Sequence, residues 1–278
     1  MAQLLAISDL HVGYASNRLV VDNIRPESEG DWLIVAGDVA DRFDEILVTL
    51  RALRERFETV IWTPGNHELW SLPGDAGDIR GVARYQSLVK ALRDIDVVTP
   101  EDPYPTWKGS GGPVVVAPLF LLYDYTFRPP GVTSKEDALA IAEVAGVICT
   151  DEMLLHPDPY PSREAWCAAR IAYTRDRLES LPADARTVLV NHFPLVRSPT
   201  RRLHYPDFAL WCGTQETADW TVRYRAKAVV YGHLHIPLTS QIDGVVHHEV
   251  SLGYPHEWDR PAALPRRVVR VLDGGRNG

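Results

Sequence analysis

Strand-like apolar runs alternate with helix-like segments in the first half of the chain, and this alternation narrows the possible folds most. The runs span 4–8, 32–37 and 59–65. Between the last two runs, residues 41–57 place apolar side chains at helical spacing, with acidic residues at the start of the segment. Strand, helix and strand in succession predict βαβ units, and therefore a sheet that contains parallel pairs.

The rest of the chain continues this pattern around a different central region. We predict further helices at 78–94, 134–149 and 162–181, further strands at 113–122, 187–192, 228–233 and 266–272, a hairpin turn at Asp243-Gly244 and a frayed tail from 273 to 278. Nothing in the sequence suggests a linker or an internal repeat. We therefore predict one domain over 1–278, with a helical and aromatic insert around 123–185.

The bulk composition limits the classes of partner. The formal net charge of −8 argues against nucleic acid as a stable partner, and no apolar run approaches the length of a membrane span. The first residues lack the basic start of a signal peptide. Cys149, Cys167 and Cys212 are too few and too scattered for a disulfide framework. We therefore expect a cytoplasmic protein with reduced thiols and no membrane partner.

Polar side chains follow five of the predicted strands at the point where each strand ends. They are Asp9, His11, Asp38, Asn66, His67, His192, His233 and His235. Taken singly, each has a common structural explanation, since aspartates cap helices and Gly-Asn pairs form turns. In open α/β sheets, however, ligands bind outside the carboxyl ends of the strands. The joint appearance of these side chains at that edge predicts a single site.

The donor types in this set indicate metal chemistry. Apart from His67, these side chains are seven donors of metal-ligand type: four imidazoles, two carboxylates and one carboxamide, without a thiolate. Nitrogen and oxygen donors without sulfur suit Mn, Fe, Zn or Co. Seven donors exceed what one open metal needs, so we expect two metals that share a bridging carboxylate. Two metals about 3.5–4 Å apart can clamp the entering and leaving oxygens of a phosphoryl displacement.

The order of these motifs resembles the calcineurin-like metallophosphoesterase family. The resemblance rests on the motifs Asp9-x-His11, Gly37-Asp38-x-x-Asp41, Gly65-Asn66-His67-Glu68, Asn191-His192 and Gly232-His233-x-His235. It implies an α/β fold, a four-layer sandwich of two mixed β-sheets flanked by helices. It also implies hydrolysis of a phosphate ester by a hydroxide that bridges two metal ions, either Mn, Fe or Zn.

The same resemblance assigns roles to individual residues. One metal would be held by Asp9, His11, Asp38 and His235, and the other by Asp38, Asn66, His192 and His233. His67 would contact the phosphate and protonate the leaving oxygen. Purple acid phosphatases carry a tyrosine ligand in the second motif, where this chain has Asp41, so no tyrosinate colour is expected.

The substrate is the most open question. The loop 193–214 follows His192 and carries Arg197, Arg201, Arg202 and His204, which suit an anionic substrate, although such a loop is also commonly just solvated. Stretches such as "VIWTPGNHELW", "FLLYDYTF" and "VNHFPLVR" resemble the 4′-phosphopantetheinyl hydrolases of mycobacteria and other actinobacteria.

That closer resemblance implies holo acyl or peptidyl carrier proteins as substrates. Carrier proteins are usually acidic, so an arginine-rich loop on this acidic chain could dock one. The insert and the arginine loop would then form the wall that selects the substrate. Alternatively, the chain acts on nucleotides, cyclic nucleotides or small phosphomonoesters or phosphodiesters. A scaffold protein without catalysis is disfavoured because every expected ligand is present.

Overall fold

A computed structural model describes residues 1–75, 79–258 and 268–274. Its strands, in chain order, are β1 (Gln3–Ile7), β2 (Trp32–Val35), β3 (Thr59–Trp62), β4 (Val97–Val98), β5 (Thr106–Gly109), β6 (Gly112–Pro118), β7 (Thr187–Val190), β8 (Ala226–Tyr231), β9 (Leu238–Ile242), β10 (Val245–Glu249) and β11 (Val269–Asp273).

The helices lie mainly between these strands and in the central region. They are α1 (Ala15–Asp22), α2 (Phe43–Arg54), α3 (Asn66–Leu69), α4 (Gly81–Arg93), α5 (Lys135–Val144), α6 (Asp151–Leu154), α7 (Arg163–Glu179), α8 (Trp220–Arg223) and α9 (Pro255–Trp258). Short 3₁₀ segments occur at Ser198–Arg202, Pro206–Trp211 and Gln215–Thr217. Among the described residues, no helix combines the length and apolar character needed to cross a membrane.

The strands form two mixed sheets. One has the order β11-β1-β2-β3-β4, in which β1 to β4 are parallel and β11 is antiparallel. The other has the order β5-β6-β7-β8-β10-β9, with parallel inner strands and antiparallel edges. Helices flank the sheets, so the predicted α/β sandwich of two mixed sheets is confirmed.

Alternation along the strands builds two apolar cores. In β1, Leu4 and Ala6 join a cluster that contains Val188 and Val190 of β7, from the other sheet. The intervening Leu5 and Ile7 of β1 join the cluster that contains the helix residues. Because successive side chains of a strand point to opposite faces, each sheet packs one face on its partner and the other on helices.

The predicted strands often extend too far at their carboxyl ends. The predicted strand 32–37 stops at Val35, because Gly37 (φ 86°) and Asp38 (φ 55°) adopt left-handed backbone conformations that a strand cannot continue. The hairpin prediction is confirmed: Asp243 and Gly244 join β9 to β10, and both have positive φ, as a type I′ turn requires.

Three predicted segments include residues that lie outside the described part of the chain. The helix predicted at 78–94 appears as α4, and residue 78 lies outside the described part. Residues 266 and 267 of the predicted last strand also lie outside it, and the strand is β11. The tail prediction is wrong for Asp273 and Gly274, since Asp273 ends β11 and Gly274 forms a bridge to Gly109. Residues 275–278 lie outside the described part.

Candidate metal centre

The sheet topology brings all five polar strand ends to one edge of the sandwich. In one sheet the parallel strands β1, β2 and β3 lead into Asp9, Asp38 and Asn66. In the other, β7 and β8 lead into His192 and His233. The carboxyl ends of parallel strands lie at the same edge, so side chains far apart in sequence meet there.

The backbone of this edge is bent sharply. Five of the site residues, Asp9, His11, Asp38, His233 and His235, have φ between 40° and 70°. Non-glycine residues in this left-handed region cost on the order of 1–3 kcal/mol each, and they persist where surrounding structure over-determines them. Their concentration at one edge indicates that the orientation of these side chains towards a common point lowers the stability of the fold.

The first half of the centre comprises Asp9, His11 and His235, whose donor atoms lie within 4.8 Å of one another. His11 Nε2 is 3.3 Å from His235 Nε2, which is 3.1 Å from Asp9 Oδ1. The other oxygen of Asp9 accepts hydrogen bonds from Ser8 Oγ at 2.5 Å and Ser251 Oγ at 2.7 Å. Asp9 therefore directs one oxygen to the hydroxyls and the other to the two imidazoles.

The second half comprises Asp38, His192 and His233, again with donor atoms within 4.8 Å of one another. His192 Nε2 lies 3.3 Å from Asp38 Oδ2 and 3.2 Å from the carboxamide oxygen of Asn66. His233 Nε2 is buried and has no hydrogen-bond partner among the described residues. Asp38 also groups with His11 and His67, so it stands between the two halves.

The hydrogen-bond chemistry fits a cation in each half. His192 Nδ1 is 2.9 Å from the carbonyl oxygen of Ala36, which can only accept, so Nδ1 carries a proton. In a neutral ring, the lone pair of Nε2 then faces two acceptor oxygens. His235 repeats this arrangement, with Nδ1 2.7 Å from Glu257 Oε2 and Nε2 towards Asp9. Two acceptors that face each other repel unless a cation lies between them.

The pKa shifts support this interpretation. Burial would lower the pKa of His192, but the Asp38 carboxylate outweighs burial and raises the value to about 10. The carboxylate that favours a proton on His192 would equally favour a metal ion beside it. Burial, with the His192 cation second, lowers the pKa of His233 to about 3. Burial, with His67 second, lowers that of His11 to about 4. These two imidazoles are therefore neutral and available as metal ligands.

His67 lies beside the centre and is held from several sides. Its Nδ1 is 2.7 Å from Asp41 Oδ1, its Nε2 is 3.7 Å from Asp38 Oδ2, and its ring centroid is 3.7 Å from that of Trp70. Burial would lower the pKa of His67, but Asp38 and then Asp41 outweigh burial and raise it. In the sequence, Asp41 stands where purple acid phosphatases carry a tyrosine ligand, and in the structure it pairs with His67.

Glu68 fixes the loop that carries Asp38. Its carboxylate accepts hydrogen bonds from the backbone N–H groups of Asp38 at 2.9 Å, Val39 at 2.7 Å and Gly65 at 2.8 Å. Burial, and secondly the charge of Asp38, raises the pKa of Glu68 to about 7. This buried carboxyl therefore joins two strand ends of the centre through their main chains.

Sequence reasoning missed several residues that orient the predicted ligands. Glu257 holds His235, and Asp151 Oδ1 accepts a hydrogen bond from Asn66 Nδ2 at 2.9 Å. Tyr254 stacks on His11 with ring centroids 4.5 Å apart. Glu257 and Tyr254 lie beyond the last motif, and Asp151 lies in the insert. No spacing in the sequence marks them, because folding alone brings them to the site.

A cavity of about 540 Å³ opens over the centre. Its lining includes Asp38, Asn66, His67, His233 and His235 of the centre together with residues 202–205 and Phe208. It therefore joins the donor cluster to the arginine-rich loop predicted as a substrate surface.

The four loop residues predicted to bind substrate separate into two groups. Arg202 and His204 line the cavity, while Arg201 is exposed beside them and does not line it. Arg197 instead donates a hydrogen bond to the backbone oxygen of Arg128. None of the described lining residues belongs to the region 123–185 predicted as an insert.

The absence of a side chain at Gly232 is a requirement of this packing. A Cβ atom there would collide with Asp9 Oδ2 and Ser8 Oγ. We therefore expect Gly232→Ala to displace the Asp9 carboxylate and to weaken binding of divalent metal by about tenfold or more, as losses in metal-site geometry typically do. Calorimetric titration of metal-stripped protein with Mn²⁺ measures this.

The matched control is Gly13→Ala, since Gly13 lies two residues after His11 yet has open space where a Cβ would stand. Wild-type Mn²⁺ affinity in Gly232→Ala would show that Asp9 does not need this space.

Comparisons with known proteins agree with the geometry. The model of the calcineurin-like phosphoesterase family matches residues 2–237. The chain is 56% identical over 268 residues to the acyl-carrier-protein phosphodiesterase PptH of Mycobacterium tuberculosis, covering 96% of this chain and 83% of that protein. The crystal structure of the phosphopantetheinyl hydrolase PptH from Mycobacterium tuberculosis matches with a TM-score of 0.94 at 54% identity, covering 98% of this chain and 96% of that one. Since these matches extend over most of its length, the chain belongs to the calcineurin-like phosphoesterase family.

Proposed function

We propose that this protein hydrolyses the phosphodiester that joins a 4′-phosphopantetheine arm to a serine of a carrier protein. The observation that carries the proposal is the extent of the similarity to the Mycobacterium tuberculosis enzyme, which spans the cavity loop and the insert as well as the metal motifs. The reaction would release 4′-phosphopantetheine and leave the carrier protein with a free serine hydroxyl.

The cavity has the chemical character that this substrate requires. His204 supplies a hydrogen-bonding group for the phosphate, Arg202 supplies a cation at the rim for the carrier protein, and Leu203, Phe208 and Ile236 supply apolar surface for the neutral arm. The donor cluster lines the same cavity. A phosphodiester bound across the cavity would therefore present its phosphorus to the metal centre.

We assign the metal ligands as the motifs predict. Asp9, His11, Asp38 and His235 would hold one ion, and Asp38, Asn66, His192 and His233 the other, with Mn, Fe or Zn as the candidate metals. When bound, such ions neutralise and polarise the phosphoryl group. Asp38 contributes to both ligand sets, and Glu68 and Glu257 keep the ligands in position.

His67 is placed to donate the proton that the reaction needs. Water supplies the oxygen that bonds to phosphorus, the bond from phosphorus to the serine oxygen breaks, and that oxygen takes up a proton. His67 lines the cavity, and Asp41 fixes its Nδ1, so Nε2 is the nitrogen presented to the substrate. Its raised pKa favours the protonated imidazole that a proton donor requires.

We also propose that the chain forms one domain, in which hydrogen bonds from the insert hold the loop that continues from the cavity. Trp211 Nε1 donates to Glu152 Oε1 at 2.8 Å, and Thr214 Oγ1 donates to Asp124 Oδ2 at 2.7 Å. These contacts join the insert to the segment 206–214, which continues from the cavity wall. A carrier-protein substrate would place the enzyme in the cytoplasm.

The proposal is tested by intact-protein mass spectrometry of a holo carrier protein incubated with the Mn²⁺-loaded enzyme. We expect the carrier protein to lose the mass of the phosphopantetheinyl group, and 4′-phosphopantetheine to appear in solution. Enzyme treated with chelator serves as the control. An untouched holo carrier protein, together with efficient hydrolysis of a nucleotide or small phosphoester, would contradict the proposed substrate.

We predict a selective effect of Arg202→Ala on the carrier protein. Arg202 is exposed at the cavity rim, where it can meet an acidic protein surface. Loss of one exposed ion pair costs about 0.2–1 kcal/mol, so KM for a holo carrier protein should rise up to about fivefold with kcat nearly unchanged. The difference from wild type should shrink as salt rises.

The matched control is Arg51→Ala, which removes an exposed arginine near the end of α2. A small diester such as bis-p-nitrophenyl phosphate shows whether the effect is specific to the protein substrate. Equal losses with both substrates would mean that Arg202 binds the phosphate and does not dock the carrier protein.

A further inference from the structure

We infer that Asp151, a buried aspartate of α6, is a positioning residue for the metal centre. It sets the orientation of the Asn66 carboxamide and, through Trp70, holds the ring of His67. This inference rests on the proposed metal-dependent phosphoesterase activity, and it assigns part of the insert to the catalytic centre. Asp151 lies 85 residues from Asn66 in sequence and belongs to none of the family motifs.

The contact with Asn66 determines which end of the amide faces the centre. Asp151 is 0% exposed, and its Oδ1 accepts a hydrogen bond from Asn66 Nδ2 at 2.9 Å. A carboxamide can turn over about its last bond, but only its nitrogen can donate to a carboxylate. Asp151 therefore keeps the Asn66 oxygen towards the centre, where it lies 3.2 Å from His192 Nε2.

The same carboxylate oxygen also holds an aromatic neighbour of His67. Asp151 Oδ1 accepts a hydrogen bond from Trp70 Nε1 at 2.7 Å. The indole of Trp70 packs against the His67 imidazole, with ring centroids 3.7 Å apart. One buried oxygen thus supports a predicted metal ligand and the predicted proton donor, which are adjacent in sequence.

Main-chain contacts hold Asp151 in this position. Arg163 Nη2 donates to the Asp151 backbone oxygen at 2.6 Å, and the Ser71 N–H donates to the Leu154 oxygen at 2.9 Å. Trp70 and Leu155 form an antiparallel bridge. The segment after Asn66 is therefore joined to α6 by backbone as well as side-chain contacts, so Asp151 cannot move without moving that segment.

The test measures Mn²⁺ affinity, which does not depend on the identity of the substrate. Partners that orient metal ligands typically contribute 10–100-fold in metal affinity or activity. We expect Asp151→Ala to bind one of two Mn²⁺ equivalents about 10–100-fold more weakly by calorimetry. Asp151→Asn keeps an oxygen that can accept both hydrogen bonds, so its affinities should stay within a few-fold of wild type.

Glu152→Ala is the matched control. Glu152 is the next residue of α6 and bonds Tyr125, Trp211 and Arg163, so its removal disturbs the insert without touching Asn66. We expect wild-type Mn²⁺ affinity in this variant. If Asp151→Ala does not fold, Asp151→Leu fills the space without an acceptor and is measured against the same criteria.

Wild-type affinity for both Mn²⁺ equivalents in Asp151→Ala, or an equal loss in Glu152→Ala, would overturn the inference. A separate assay with bis-p-nitrophenyl phosphate and a holo carrier protein distinguishes this failure from failure of the proposed function. If the carrier protein is untouched while Asp151→Ala still weakens one Mn²⁺ equivalent, the positioning role stands and only the substrate assignment fails.

Discussion

Replacing Asp38 by Asn is expected to lower kcat/KM for bis-p-nitrophenyl phosphate by about 10³-fold or more, the largest effect of any single substitution in the centre with that substrate. Asp38 is the proposed ligand of both ions, since it groups with His11 as well as with His192 and His233, so the change would remove a negative charge from both metal sites at once. Metal ions contribute several kcal/mol of transition-state stabilisation in such sites, and each 1.36 kcal/mol is a factor of ten in rate.

The substitution should leave the fold intact, which makes it a clean test. Asn has the size of Asp. Its side-chain oxygen can still accept the hydrogen bond that the backbone N–H of His67 donates to Asp38 Oδ1 at 3.0 Å. The measurements are kcat/KM for bis-p-nitrophenyl phosphate and elemental analysis of protein purified without chelator. We expect two metal equivalents in the wild type and a clear deficit in Asp38→Asn.

The matched control is Asp176→Asn, on the exposed surface of α7. It makes the same chemical change far from the donor cluster and should alter neither metal content nor rate. An Asp38→Asn protein that retains both metal equivalents and stays within tenfold of wild-type activity would show that Asp38 does not bridge two ions.

Much of this centre could be predicted because one geometric rule connects it to the sequence. Parallel strands bring their carboxyl ends to the same edge, so the positions of Asp9, Asp38 and His192 after apolar runs are enough to group them. The pattern of apolar runs located the strands well enough for this purpose. The apolar pattern does not locate the ends of the strands, because a residue with a left-handed backbone conformation, such as Gly37, ends a strand without changing that pattern.

The residues that could not be predicted are those whose placement depends on loops. Asp151 reaches Asn66 only because α6 is bonded to the segment after the metal motif, and no periodicity encodes that contact. Arg197 and Arg202 are five residues apart in one loop, yet only Arg202 lines the cavity. Composition identifies a cationic loop, but the path of its backbone determines which side chains face a ligand.

His67 presents a further choice that the sequence leaves open. It lies within 4.8 Å of His11 and Asp38 donor atoms, so it could serve as a metal ligand as well as a proton donor. The two roles predict different results for metal content. Removal of a ligand would lower the metal content, whereas removal of a proton donor would lower only the rate.

We expect His67→Ala to keep both metal equivalents and to lose activity according to the leaving group. With an alkyl diester or a holo carrier protein, kcat should fall about 10²–10⁴-fold, the usual contribution of general acid catalysis. With bis-p-nitrophenyl phosphate, whose phenolate leaves without a proton, the loss should be less than about tenfold. His156→Ala is the control, because His156 is partly exposed and lines none of the described cavity. Equal losses for both leaving groups would reject proton donation, and a loss of metal would make His67 a ligand.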